Sequence, residues 1–292
     1  MNSSASHAAS EVLEEFAEGD LKGIFEDIKR TFRSPIVNLL FSALATQPDY
    51  LRVAWRQLHT NAQTLYFEGK ADEIRRFAVS SMSEIGELRT PANDEGIAKV
   101  LSVFHYVNPK VLLAVSALRS SMLGQLPRTA VLPPAEKRQV VPGRATEMPD
   151  ISLAGPNTED ERLRRLFDDI KASSPAGILD SEYRALATWP DFLEGAWSSV
   201  KPRLTTPEYR QVTRQLRWMA DEAVQSFPFR IDASPHTLRH AGLSEHQIDA
   251  VRTLLDDFYR AASESVANVA VFITGIEGKR GALENRYPVD LV

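Results

Sequence analysis

Apolar positions recur at helical spacing along nearly the whole chain. Between residues 11 and 32, Leu13, Phe16, Leu21, Ile24, Phe25 and Ile28 fall close to a period of 3.6 and predict one helix. Ser34 and Pro35 read as the next start, because a serine side chain accepts from free amides at an N-cap and proline fits the first helical position. That helix carries Val37, Leu40, Phe41 and Leu44 and runs to about Thr46, where Gln47 and Pro48 break it. Further helices are expected over 49–59 and 71–88, and over 94–121 as two pieces broken at Asn108 and Pro109. The second half predicts helices at 158–172, 181–188, 191–200, 207–226, 244–260 and 262–274. No segment alternates as a strand would, so the fold class is all-α.

The two halves match. Residues 21–55 fall on 163–197 without a gap, and fifteen of those thirty-five positions are identical, including Phe25/Phe167, Asp27/Asp169, Pro48/Pro190 and Trp55/Trp197. This predicts two tandem helical repeats forming a fused pseudo-dimer. The expected boundaries are 1–123 for the first repeat, 124–157 for an extended Pro/Gly-rich linker and 158–292 for the second repeat. Beyond residue 82 more than one register fits, and no pairing is drawn there.

One position departs from the symmetry. The stripe Val37, Leu40, Phe41, Leu44 becomes Leu179, Glu182, Tyr183, Leu186, so a carboxylate stands where the sister repeat has a core leucine. Buried, that acid would have a raised pKa and serve as a general base near neutral pH. Asp180 and Ser181 precede it as candidate helix-cap residues whose amides would attract an anionic substrate. The plainer alternative is an exposed first-turn glutamate that favours the helix dipole. Asn108 is the second candidate. An amide donates and accepts at once and so orients a water, whereas the alternative is a simple helix C-cap.

Composition narrows the classes. The net charge is −5 with both signs mixed, without the basic stripe of a nucleic-acid binder. There is no cysteine, which removes thiol nucleophiles, disulfides and cysteine-held metals. The first residues lack a secretory pattern and no apolar run approaches a membrane span, so a cytoplasmic location with no membrane partner is expected. His236, His240 and His246 invite a metal reading, but no glutamate follows the first histidine, and no metal is expected. His105 reads as a core histidine, and Trp55 and Trp197 as packing residues.

The stretches IFEDIKRTFRSPIVN, ALATQPDYLRVAW, VLSVFHYVNPKVLLAVSALRSSM and SEYRALATWP resemble the group I 2-haloacid dehalogenases, over most of the chain and least after about residue 275. The resemblance implies an all-helical pseudo-dimer with its active site between the repeats, no cofactor, and a homodimer. It implies a small carboxylic acid substrate and direct attack of water on the halogen-bearing carbon, with inversion and no covalent ester. Position by position, it puts the water-holding asparagine on Asn108, the catalytic acid on Glu182 after the retained Ser181, and a pocket tyrosine on Tyr259. Two aromatic pocket positions of the family fall on Ile36 and Leu39. The family's aspartate is a glutamate here, one methylene longer, and a shift of that size costs about a hundredfold in rate if uncompensated. The departures leave two expectations: an enzyme with a reshaped pocket, or a relative that binds a small acid or serves as a helical scaffold.

Overall fold

The computed structural model describes residues 11–85, 88, 90–125, 133–155 and 157–292. Among them every regular element is helical, and the only β pairing is two isolated bridges, Thr64 with Gln139 and Val140 with Leu291. Eleven α-helices follow in order: α1 Gly19–Phe32, α2 Leu39–Leu44, α3 Pro48–Ala62, α4 Leu65–Ile85, α5 Glu95–Met122, α6 Glu161–Ser173, α7 Ser181–Leu186, α8 Pro190–Val200, α9 Pro207–Gln225, α10 Pro235–His240 and α11 Glu245–Leu283.

The long helices α4, α5, α9 and α11 all pack on one another and make the centre of the molecule. The short helices ride on them: α1 and α2 lie on α3, and α7 bridges α5 and α8. α5 is apolar enough to resemble a membrane span by length and composition, but its apolar window is wholly buried among the other helices. Several helix starts follow local chemistry. Asn38 accepts from the Leu40 amide, Thr206 from Tyr209, and Ser244 and Gln247 form a reciprocal capping box.

The structure corrects several sequence expectations. Residues 11–32 are not one helix: a short 3-10 turn, Glu14–Phe16, precedes α1. Ser34 and Pro35 do not start α2, because the Ser34 hydroxyl closes a local turn with the backbone of Ile36 and the cap falls to Asn38. α5 runs unbroken through Asn108 and Pro109. Proline removes one amide donor and crowds the carbonyl four residues back, yet α5 is packed on every side, and that packing outweighs the local cost. Asn108 is therefore a mid-helix residue and no C-cap. The predicted helices 244–260 and 262–274 are one helix, α11, whose backbone departs from helical geometry only at Gly278, with φ +72°. There the absent side chain makes the left-handed conformation accessible.

Two hydrogen bonds recur in the matching stretches. Trp55 Nε1 donates to Asp27 Oδ2 at 2.8 Å, and Trp197 Nε1 donates to Asp169 Oδ2 at 2.7 Å. These tryptophans are buried, so each indole finds its acceptor at the half-exposed edge of its helix pair.

His105 is buried on α5 against the carbonyl of Ala282, 2.9 Å away, and the guanidinium of Arg75. Burial and Arg75 hold its pKa down to about 3. The folded state thus refuses a proton that the unfolded chain accepts near pH 6.5, so stability is full above that pH and falls below it, by up to about 1.4 kcal/mol per pH unit from this group. Urea titrations of wild type and His105→Gln between pH 7 and 4 should converge as the pH drops; parallel curves would remove His105 from the acid response.

Candidate active site

Glu182 stands in the first turn of α7 and is 1% exposed; its counterpart Leu40 in α2 is 0% exposed. The carboxylate therefore occupies a core position, and the exposed first-turn alternative does not hold. It is not alone there. Ser265 of α11 donates its hydroxyl to Glu182 Oε1 at 2.5 Å, and Asn108 of α5 donates Nδ2 to the same Ser265 hydroxyl at 2.7 Å. Three helices remote in sequence thus meet at one buried polar point.

Burial pushes the Glu182 pKa up, while the bond from Ser265, its own backbone amide and the Asn108 amide pull it back toward ionisation. Asp180, two residues earlier, is shifted in the same direction. It holds the N-cap position of α7 yet makes no side-chain cap bond, so the cap expectation fails for this residue. Burial and the nearby charges of Glu182 and Glu264 hold its carboxyl far above the usual carboxylate range. Glu264, beside Ser265 on α11, is pushed up to about 7 by burial against the pull of Arg217 and Arg260. Neighbouring acids cannot all ionise together. Glu182 has the donors that favour its charge, and Asp180 keeps its proton.

Ser181 is 2% exposed, and its hydroxyl has no hydrogen-bond partner among the described residues. It lines a cleft of about 580 Å³ together with Ile36, Leu39, Ser42, Leu153 and Arg184. Three of the sequence-predicted pocket residues, Ser181, Ile36 and Leu39, thus share one cleft; Glu182 follows Ser181 in the chain, but neither it nor Asn108 is among the residues that line the cleft. Arg184 ties the cleft wall together: its guanidinium donates to Glu11 at 2.8 Å and to the carbonyl of Ala154 at 2.8 Å.

Tyr259 is placed elsewhere. Its hydroxyl donates to Asp221 Oδ2 at 2.5 Å, the Arg119 guanidinium lies 4.5 Å from its ring centre, and Asp221 also accepts from Ser116. It sits six residues before Ser265, about 9 Å along α11, in a polar network joining α5, α9 and α11. His236 and His240 approach each other at 3.3 Å on the surface, and no group of three metal-ligating side chains occurs among the described residues.

Ser265 was missed by sequence reasoning. It lies where the internal alignment has lost its register, and a serine within an apolar helix carries no signal of its own. Its neighbours Tyr183, Asn268 and Tyr209 form a second buried chain: Asn268 donates to the Tyr183 hydroxyl at 2.9 Å and accepts from Tyr209 at 2.9 Å.

A family model described as halocarboxylic acid dehydrogenase DehI matches residues 35–183, the span that holds Ile36, Leu39, Asn108, Ser181 and Glu182. The (R)-2-haloacid dehalogenase of Pseudomonas putida is 29% identical over 276 residues, 89% of this chain and 90% of that one. The configuration-inverting 2-haloacid dehalogenase of Alcaligenes xylosoxydans xylosoxydans is 27% identical over 286 residues, covering 93% and 95%. Among solved structures, a D-2-haloacid dehalogenase mutant in complex with D-2-CPA superposes with a TM-score of 0.84 at 27% identity, covering 91% of this chain and 95% of the other. The same kind of enzyme in complex with L-LA gives 0.83 at 28% identity. The chain belongs to the DehI family of 2-haloacid dehalogenases.

Proposed function

We propose that this protein is a hydrolase acting on carbon–halide bonds, releasing halide from short 2-haloalkanoic acids by direct attack of water. The observation that carries this reading is the buried Glu182, bridged to Asn108 and placed one residue beyond a cleft-lining serine with an unused hydroxyl. Glu182 takes a proton from water as the water oxygen bonds to C2 of the substrate. Asn108 orients that water. The C–X electron pair leaves with the halide, and the products are the 2-hydroxyacid, halide and one proton. Ser181 donates to the substrate carboxylate, and Ile36 and Leu39 shape the apolar side of the cleft. Tyr259 acts at most at a distance, through the network it shares with Asp221. Attack opposite the leaving group inverts C2. The relatives named as configuration-inverting support this stereochemistry.

The architecture that serves this site is two tandem repeats, 1–123 and 158–292, joined by the segment 124–157, part of which lies outside the described residues. The repeated Trp–Asp bonds and the recurrent helix order support a fused pseudo-dimer.

A single turnover in H₂¹⁸O with enzyme in excess tests the chemistry. The heavy oxygen is expected in the hydroxyacid, with the configuration at C2 of 2-chloropropionate inverted. Label in the Glu182 carboxylate would mean a covalent ester and would overturn direct attack.

A further inference from the structure

We infer that Ser265 is a positioning residue, the one that fixes how Glu182 and Asn108 face the attacking water. The inference rests on the reading of Glu182 as the base. A hydroxyl has one proton to give and lone pairs to receive. The Ser265 proton is committed to Glu182 Oε1 at 2.5 Å, and its lone pair receives an N–H of Asn108 at 2.7 Å. Two consequences follow. Oε1 is tethered, which fixes the plane of the carboxylate and so the direction from which it meets a proton. The Asn108 amide is turned with Nδ2 toward α11, which directs its carbonyl oxygen to the other side, where it accepts from the same water.

The arrangement also answers the extra methylene of Glu182. A glutamate has one more side-chain torsion than an aspartate and loses more freedom when held still. A short charge-assisted bond from a buried hydroxyl supplies that restraint. Ser265 itself is rigidly placed, 5% exposed within α11, which packs along α5. The other titratable groups near this point are Asp180 at the head of α7, Tyr183 on α7 and Glu264 on α11, the last facing Arg217 of α9 and Arg260. None of these gives Glu182 a hydrogen bond; the side-chain donors to it are Ser265 and Asn108.

The test compares wild type, Ser265→Ala and Ser265→Thr in two readouts. The first is the pH dependence of kcat/KM on 2-chloropropionate. The second is a ¹³C NMR titration of the Glu182 carboxyl in glutamate-labelled protein, assigned against Glu182→Gln. Removing a donor to the ionised form raises its pKa, so alanine should move both midpoints to higher pH. It should also lower kcat by about tenfold to a hundredfold, with KM changed less than about twofold. Threonine, which restores the hydroxyl, should return both. Should the alanine variant fail to melt cooperatively, Ser265→Cys, close in volume but a poor donor, carries the same comparison. A carboxyl titration unmoved in the alanine or cysteine variant would overturn the inference, as would a lower kcat with an unshifted midpoint. Wild type that releases no halide would overturn the proposed function instead, and the NMR titration would still decide whether Ser265 holds Glu182.

Discussion

Replacing Glu182 by glutamine is expected to lower halide release from 2-chloropropionate by about 10²–10⁴-fold, the usual worth of a positioned general base. The substitution keeps the side-chain length and a carbonyl oxygen that Ser265 can still reach, so binding and fold should survive while the proton acceptor is gone. The rate should therefore fall in kcat, with KM little changed, because the lost interaction exists only as charge develops on the water. Glu182→Asp provides the complementary measurement. Here Asn108 and Ser265 are spaced for the longer acid, so shortening it by a methylene draws the carboxylate away from both, and a drop of about a hundredfold is expected. Stability should move the opposite way. Burial raises the Glu182 pKa in the folded state, so the protonated acid is tolerated at low pH and the ionised form is a growing cost as the pH rises past the unfolded value of 4.5. Glu182→Gln removes that cost and should melt higher than wild type at pH 8 but not at pH 4. A variant that keeps wild-type halide release would remove Glu182 from the chemistry, whatever its stability.

The acid was legible because duplication provides an internal control. Leu40 states what the position buries when no charge is wanted, and Glu182 then stands out without any alignment to other proteins. Helix existence was legible for the same reason that binary patterning works: the apolar faces of α1, α3, α6 and α8 repeat at 3.6 residues. What failed was reading continuity from local signals. Pro109 marks a break by its own chemistry, but α5 is buried on all sides and the break does not occur. Ser34 and Pro35 carry a helix-start signature that the chain spends on a turn. Asp180 holds a cap position without making a cap bond, and burial beside Glu182 and Glu264 favours its neutral form. Ser265 could not be found at all, since its meaning is a contact across 83 residues to Glu182 and 157 to Asn108. Tyr259 was read as a pocket tyrosine by resemblance; its hydroxyl donates to Asp221 of α9, and it is not among the residues that line the Ser181 cleft.

Two residues beyond Asn108, Lys110 is 1% exposed and paired with Glu68, and breaking that pair is expected to give the largest loss of stability from a single exchange. Lys110 also donates to the Phe32 carbonyl at 3.2 Å and lies 3.8 Å over the Tyr106 ring, while Arg33 donates to the Tyr106 hydroxyl at 3.0 Å and that hydroxyl in turn reaches Glu68. Glu68 is thus the anion that two buried cations share. Glu68→Gln leaves both without it, and a loss of about 3–5 kcal/mol is expected in urea unfolding at pH 6, the range for uncovering a buried charge. Lys110→Met should cost less, because Glu68 keeps Tyr106 and, through it, Arg33. The pH dependence distinguishes this from a packing defect. Burial holds Lys110 down to about 8 even with Glu68 present, and without Glu68 it falls further. A lysine with a depressed folded pKa gains stability as the pH rises toward its unfolded value. The deficit of Glu68→Gln should therefore shrink with rising pH until about 8, where wild-type Lys110 also begins to shed its proton, and stay level above. A deficit that is the same at pH 5.5 and pH 8 would mean the cost lies in packing, and that the charge on Lys110 never depended on Glu68.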